Sequence, residues 1–183
     1  MRTKTYENAV SPVVGVMLML VVTIIIAAVV SAFAGGLGAE SKKTPQMTFS
    51  ASYSQAGGLT LFHSGGDTLT ASETRVELIP TTAWTDTAYY YVFPLETKNI
   101  TSSSTGLPWG SGTGKVSSFM AGDSAWVSPA SLACPVIQPQ VFGTSTASLM
   151  CFDEPANVGK PVIIRLIDKK SNIIAKTEVN VKP

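Results

Sequence analysis

One histidine, two cysteines and a few acidic residues are nearly all that this chain offers for conventional side-chain chemistry. His63 has Asp67 four residues on, a spacing that could join a general base to a carboxylate that orients it. No G-x-S-x-G, H-E-x-x-H or clustered carboxylate pattern accompanies them, so His63 reads instead as an imidazole anchoring the tight Gly65-Gly66 turn. Cys134 and Cys151 have 16 residues between them. In an extracellular domain such a pair forms a disulfide worth about 3 kcal/mol through loss of unfolded-chain entropy. Two sulfurs and one histidine do not make a four-ligand metal set. Asn99-Ile100-Thr101 is the single N-x-[ST] sequon, which makes Asn99 a candidate glycosylation site. Tyr89, Tyr90 and Tyr91 could offer an aromatic surface, although alternation along one strand more simply buries Tyr90 and exposes its neighbours, or the reverse. Asp153-Glu154 reads as a solvated acidic pair. We expect no catalytic residue, no metal and no cofactor.

The elements that carry these residues divide the chain in two. Between Glu7 and Glu40 there are 32 positions without a charge, directly behind the basic tail Met1 to Asn8. Ser11 and Pro12 make a good helix start, since a serine hydroxyl caps free amides and proline at the first position has no N–H to satisfy. Gly35, Gly36 and Gly38, followed by Glu40, Lys42, Lys43 and Pro45, read as its end and its exit into water. The helix is therefore expected over Pro12 to Ala34, with a hinge after it. It is long enough to cross a hydrocarbon core of about 30 Å.

Three fates fit such a segment. Cleavage after Ala32-Phe33-Ala34 would release a soluble domain, but the apolar run exceeds the usual signal-peptide core of about 7 to 15 residues. An uncleaved anchor is the second fate, with Arg2 and Lys4 on one side matched by Lys42 and Lys43 on the other, so charge does not set the orientation. Cleavage on the basic side, ahead of the helix, is the third.

The string Ala9-Val10-Ser11-Pro12-Val13-Val14-Gly15-Val16, followed by Met17-Leu18-Met19-Leu20, closely resembles the N-terminal segment of archaeal type IV pilins. Leu61 to Leu69, with His63-Ser64-Gly65-Gly66-Asp67, is similar to a segment that follows the first strand in many such pilins. The resemblance implies a basic leader, residues 1–8, removed by a prepilin peptidase between Asn8 and Ala9 or one residue later. It also implies an apolar helix, residues 9–38, that sits in the membrane before assembly and then polymerises. Ser11, Pro12, Val13, Val14, Gly15, Val16, Ala28 and Ala32 would carry assembly. The expected partners are further copies in a helical homopolymer, the peptidase, the pilus assembly machinery and the membrane. The filament would lie at the cell surface.

The remainder, residues 39–183, is rich in Ser, Thr, Gly, Pro and β-branched residues. Strands are expected at Met47 to Tyr53, Leu59 to His63, Thr74 to Ile79, Tyr89 to Phe93, Ala125 to Val127, Val162 to Asp168 and Ile173 to Val181. Asn99 to Gly114 reads as one long exposed loop. The fold class is α+β: a long N-terminal apolar helix, then an all-β, immunoglobulin-like or archaeal pilin-like sandwich. The net charge of +1 gives no sign of a nucleic-acid partner. Lys160 to Pro183 holds six basic and two acidic residues, which reads as a solvated strand edge. The competing reading of the whole chain is a membrane-anchored extracellular binding domain or a minor pilin-like protein. A secreted hydrolase has no reactive constellation to support it.

Overall fold

The computed structural model describes residues 12–37, 43–85, 91–141, 143 and 147–183. Asn8, Ala9, Ser11, Tyr89 and Tyr90 lie outside the described residues. The chain divides into two compact units, Met1–Lys43 and Thr44–Pro183.

Among its described residues the first unit holds one helix, α1 (Pro12–Leu37). Proline opens it, as expected, but it does not end at Ala34: it continues through Gly35 and Gly36 to Leu37. A glycine in a helix costs only about 1 kcal/mol relative to alanine, while each further turn keeps backbone hydrogen bonds. Glycine weakens a helix without forbidding it.

The second unit is built on strands β1 (Met47–Ser54), β2 (Gly58–Gly66), β3 (Leu69–Thr70), β4 (Thr74–Pro80), β5 (Phe93–Leu95), β6 (Ile100–Ser102), β7 (Ser118–Phe119), β8 (Ser124–Val127), β9 (Pro161–Asp168) and β10 (Ile173–Lys182). Among the described residues, short α-helices α2 (Pro129–Leu132), α3 (Cys134–Ile137) and α4 (Ala147–Met150) interrupt them. Two antiparallel halves, β5-β4-β9-β10 and β1-β2-β8-β6, join into one eight-stranded sheet. The seam is a short parallel pairing in which Tyr53 faces Val181 and Ser54 faces Lys182. The β-rich domain is as expected, with hydrogen bonds continuous through that seam. β3 and β7 pair separately.

Alternation explains why these segments form strands. In β1, Met47, Phe49 and Tyr53 turn inward while Thr48, Ser50 and Ser52 face out, and Leu59, Leu61 and His63 repeat the pattern in β2. The inward residues of both halves meet in a single core with Val76, Leu78, Val162, Ile164 and Leu166. On the opposite side of β4 and β9, the buried Glu77 and half-buried Arg165 are directly opposite in register, and Arg165 Nε and Nη2 both donate to Glu77 Oε2 at 2.9 and 2.6 Å.

Phe152 fills the space between the halves. Its ring makes edge contacts with Tyr53, Trp84 and Phe93 at centroid distances of 6.4, 5.4 and 5.4 Å. Burial, assisted by the Asp153 charge, pushes the Tyr53 hydroxyl pKa well above its ordinary value. It therefore stays a donor, to the Phe152 carbonyl at 3.2 Å.

Three readings of the sequence need correction. Asn99 to Gly114 is not one exposed loop: Ile100 is fully buried within β6, and Trp109 is buried against Phe119 at 5.0 Å. Two apolar anchors are enough to pull a Ser/Thr/Gly-rich run onto the core. The basic C-terminal strand is not an edge, since β10 lies between β9 and β1 and the edges are β5 and β6. Lys176, Glu178 and Lys182 are solvated because they occupy its outward face. The strand expected over Tyr89 to Phe93 begins at Phe93, with Tyr91 before it, exposed and stacked on Phe93.

Gly66 ends β2 with φ +106°, where an added Cβ would lie 2.5 Å from the Gln46 carbonyl oxygen and 2.7 Å from Met47 Cα. Gly66→Ala is expected to destabilise the domain by roughly 1–3 kcal/mol, read as a lower midpoint of urea unfolding. In the β9–β10 turn, Asp168 accepts from the Lys170 and Asn172 amides, each at 2.8 Å, and from the Asn172 side chain at 2.9 Å. The Asn172 side-chain bond chiefly, with those amides, holds its pKa below the ordinary carboxylate value. The folded pKa is depressed, so its contribution is present above the unfolded Asp value and lost as pH falls through the folded one. Acidification across that range should speed amide exchange at Lys170 and Asn172, after correction for intrinsic rates. In Asp168→Ala these amides should be fast at every pH.

Candidate functional site

Helix α1 is the feature without a counterpart in an ordinary globular domain. Every described side chain from Pro12 to Ala34 is exposed. Consecutive Ile24, Ile25 and Ile26 point in three directions, and their exposures are 58%, 56% and 56%. An amphipathic helix would turn one apolar stripe inward and a polar face outward. Here apolar side chains cover the whole circumference, which suits lipid or a surround of other apolar helices. Its span Pro12–Ala34 has 23 residues, about 35 Å at a helical rise of about 1.5 Å per residue, enough for a membrane core.

The polar groups within it are muted. Thr23 donates its hydroxyl to the Leu20 carbonyl at 2.8 Å, so the one threonine of the span makes its hydrogen bond inside the helix. Ala28 and Ala32 stand four residues apart and share a face, as do Ala27 and Ser31. At Gly15 an added Cβ would meet nothing within 4 Å. No described neighbour in the chain itself demands a glycine there.

The chemistry-bearing residues of the second unit do structural work. His63 is completely buried, with Phe119 5.3 Å from its ring. Its Nε2 lies 3.1 Å from the Asp67 carbonyl oxygen, which can only accept, so Nε2 carries the proton. The Asp67 carboxylate is engaged elsewhere, accepting from the Gln46 amide at 3.0 Å, while the Asp67 amide donates to the Gln46 carbonyl at 2.8 Å. His63 and Asp67 thus meet through the main chain and do not form an acid–base dyad. They pin the turn to the start of β1.

Cys134 and Cys151 are joined in a disulfide, with Cα atoms 5.2 Å apart. Asp153 brings a carboxylate close to both sulfurs, but bonded sulfurs supply no thiolate to a metal. The sequence reading missed Gln138 beside them. It is fully buried, donates from Nε2 to the Met150 carbonyl at 2.7 Å and accepts from the Phe152 amide at 2.7 Å. Asn157 adds a bond from its side-chain nitrogen to the Cys151 carbonyl at 2.8 Å. Disulfide and amides together hold Phe152 in the core. Asn99 is half-buried in the turn before β6, and the Thr101 hydroxyl of the sequon donates to the Trp126 carbonyl at 3.0 Å.

An exposed, all-round apolar helix followed in sequence by a β domain fits a chain anchored in a membrane or assembled through that helix. Residues 8–49 match the family model described as archaeal type IV pilin, N-terminal, which spans the helix and the start of β1. The match supports an archaeal type IV pilin, a structural family rather than an enzymatic one. The comparison with curated proteins returned no match.

Ile24→Asp, near the middle of the span, is expected to disfavour membrane insertion by about 2.5–3.5 kcal/mol. The measure is the fraction of chain that resists alkaline extraction from membranes, which should fall sharply.

Proposed function

We propose that the chain is the subunit of an archaeal type IV pilus, an adhesion-type surface filament whose core is made of packed α1 helices. The carrying observation is that one segment is apolar on all sides, exposed along its whole described length, and matched by the pilin N-terminal family. In this reading a prepilin peptidase removes residues 1–8 by cutting between Asn8 and Ala9, and keeps the helix. Before the cut, α1 spans the cytoplasmic membrane with its backbone satisfied internally.

The assembly machinery then moves the helix from lipid to a bundle of its own kind. Burial of apolar surface at about 25 cal/mol per Å² keeps it there once lipid is gone. Ser11, Pro12, Val13, Val14, Gly15 and Val16 form the leading end of the packed helix. Ala28 and Ala32 let a neighbouring helix approach closely. The β domain, fastened by Cys134–Cys151, faces outward, and Asn99 carries a glycan on the filament surface.

N-terminal mass spectrometry of protein from sheared filaments tests the proposal. The expected mature chain starts at Ala9 or one residue later, with a mass increment on the peptide containing Asn99. A chain that retains Met1 to Asn8, or begins at Gly35, overturns the processing scheme. Recovery from membranes alone, never from filaments, transfers the chain to the class of membrane-anchored binding domains.

A further inference from the structure

Trp126 is the exception among the three tryptophans. Trp84 and Trp109 are 4% and 2% exposed, whereas Trp126 on β8 is 40% exposed. Its indole is fixed, since Nε1 donates to the Gly57 carbonyl at 2.8 Å. The indole is thus held half-open to water in one fixed orientation.

The ring lines an open cleft of about 380 Å³ together with Thr101, Ser102, Ser103 and Gly106. None of the five lining residues is ionisable. The surroundings continue the pattern. In register across the sheet, Thr101 and Thr60 flank Trp126, Ser52 lies opposite Thr60, and Ser124 and Ser50 flank Phe62, itself 42% exposed. The outward face of β1-β2-β8-β6 is thus hydroxyls and two aromatic rings. The other half carries Arg75, Arg165, Lys176, Glu178 and Lys182.

We infer that the Trp126 cleft is a binding subsite for a neutral saccharide, a unit of an uncharged polysaccharide met at the cell's surroundings. A pyranose ring offers an apolar C–H face to an indole and hydroxyls around its rim; the cleft offers an indole, the exposed Ser103 hydroxyl and the Thr101 hydroxyl oxygen, whose proton goes to the Trp126 carbonyl. An uncharged cleft gives a sulfated or carboxylated polymer no compensating cation for the ion it would desolvate. The backbone of β6 is held by Ser103 N to the Ser124 carbonyl at 2.9 Å and Ser102 N to the Leu107 carbonyl at 2.9 Å, so the subsite is formed before any ligand arrives. All its lining residues belong to the β domain.

The test uses the full chain in lipid nanodiscs, from a host without N-glycosylation, titrated calorimetrically with neutral gluco- and manno-oligosaccharides and their sulfated forms. Expected results are saturable binding of a neutral oligosaccharide, weaker binding of its sulfated form, and protection of tryptophan fluorescence from acrylamide, which reports Trp126 because the other two are buried. Trp126→Ala should weaken binding about tenfold or more, with loss of the Gly57 bond read separately as a lower thermal midpoint. Ser103→Leu, which fills the cleft and leaves the ring in place, should weaken it as well, whatever the first variant does to folding. No binding of any neutral oligosaccharide at about 10 mM, equal binding of the sulfated forms, or unchanged binding by Ser103→Leu would overturn the assignment. So would protection of Trp126 by the chain's own Asn99-linked glycan in native material, which would make that glycan the occupant.

Discussion

A helix that is apolar on every side cannot rest in water, and this constraint shapes everything else in the chain. Nothing in α1 from Pro12 to Ala34 offers water a polar face, and the threonine at its centre satisfies itself on Leu20. Such a rod needs an apolar surround, either lipid tails or other helices. A membrane anchor needs only the first. The proposed filament subunit needs both in turn, which excludes charges or a strong polar stripe at any point of the circumference.

The β domain carries a core of its own. Its core is closed within Thr44–Pro183, with residues from both sheet halves meeting without any contribution from α1. The critical packing lies around Phe152, against which Tyr53, Trp84 and Phe93 converge from separate segments. That ring sits in irregular chain where no strand ladder fixes it. The Cys134–Cys151 bond and the Gln138 amide take the place of a ladder, the latter satisfying a backbone carbonyl and an amide that would otherwise be buried unpaired.

How much of this could be read in the sequence follows from the range of the interactions involved. The helix start was legible because proline and the absence of charge act locally. Its end was misread because glycine's helix penalty is small enough for Gly35 and Gly36 to be carried along. Long strands such as β1, β2, β9 and β10 announced themselves by alternation. β3, β6 and β7 have two or three residues each, too short for a period to show, and β6 lies in a Ser/Thr-rich run whose composition argues for solvent. The place of β10 inside the sheet was illegible because lysines on an outward face and lysines on an edge look alike in one dimension. Gln138 gave no local signal at all. His63 was legible as a turn anchor, but the division of labour was not: the imidazole takes the Asp67 carbonyl while the carboxylate takes Gln46.

The two sheet halves also separate two tasks that one surface performs badly. A charged outward face, as Lys176, Glu178 and Lys182 make on β10, stays hydrated and resists adventitious contact. A face of serine, threonine and two exposed rings, as on β1, β2, β8 and β6, gives up that protection and gains surface that can be desolvated at little electrostatic cost. The seam between them is where Lys182 lies opposite Ser54 and reaches Ser52 at 3.4 Å, so the last charge of one face borders the first hydroxyls of the other. Keeping the uncharged face in the same sheet as the charged one places it on the rigid core around Phe152. Rings and hydroxyls presented from such a scaffold lose little freedom when a ligand binds, which is what a shallow site needs most.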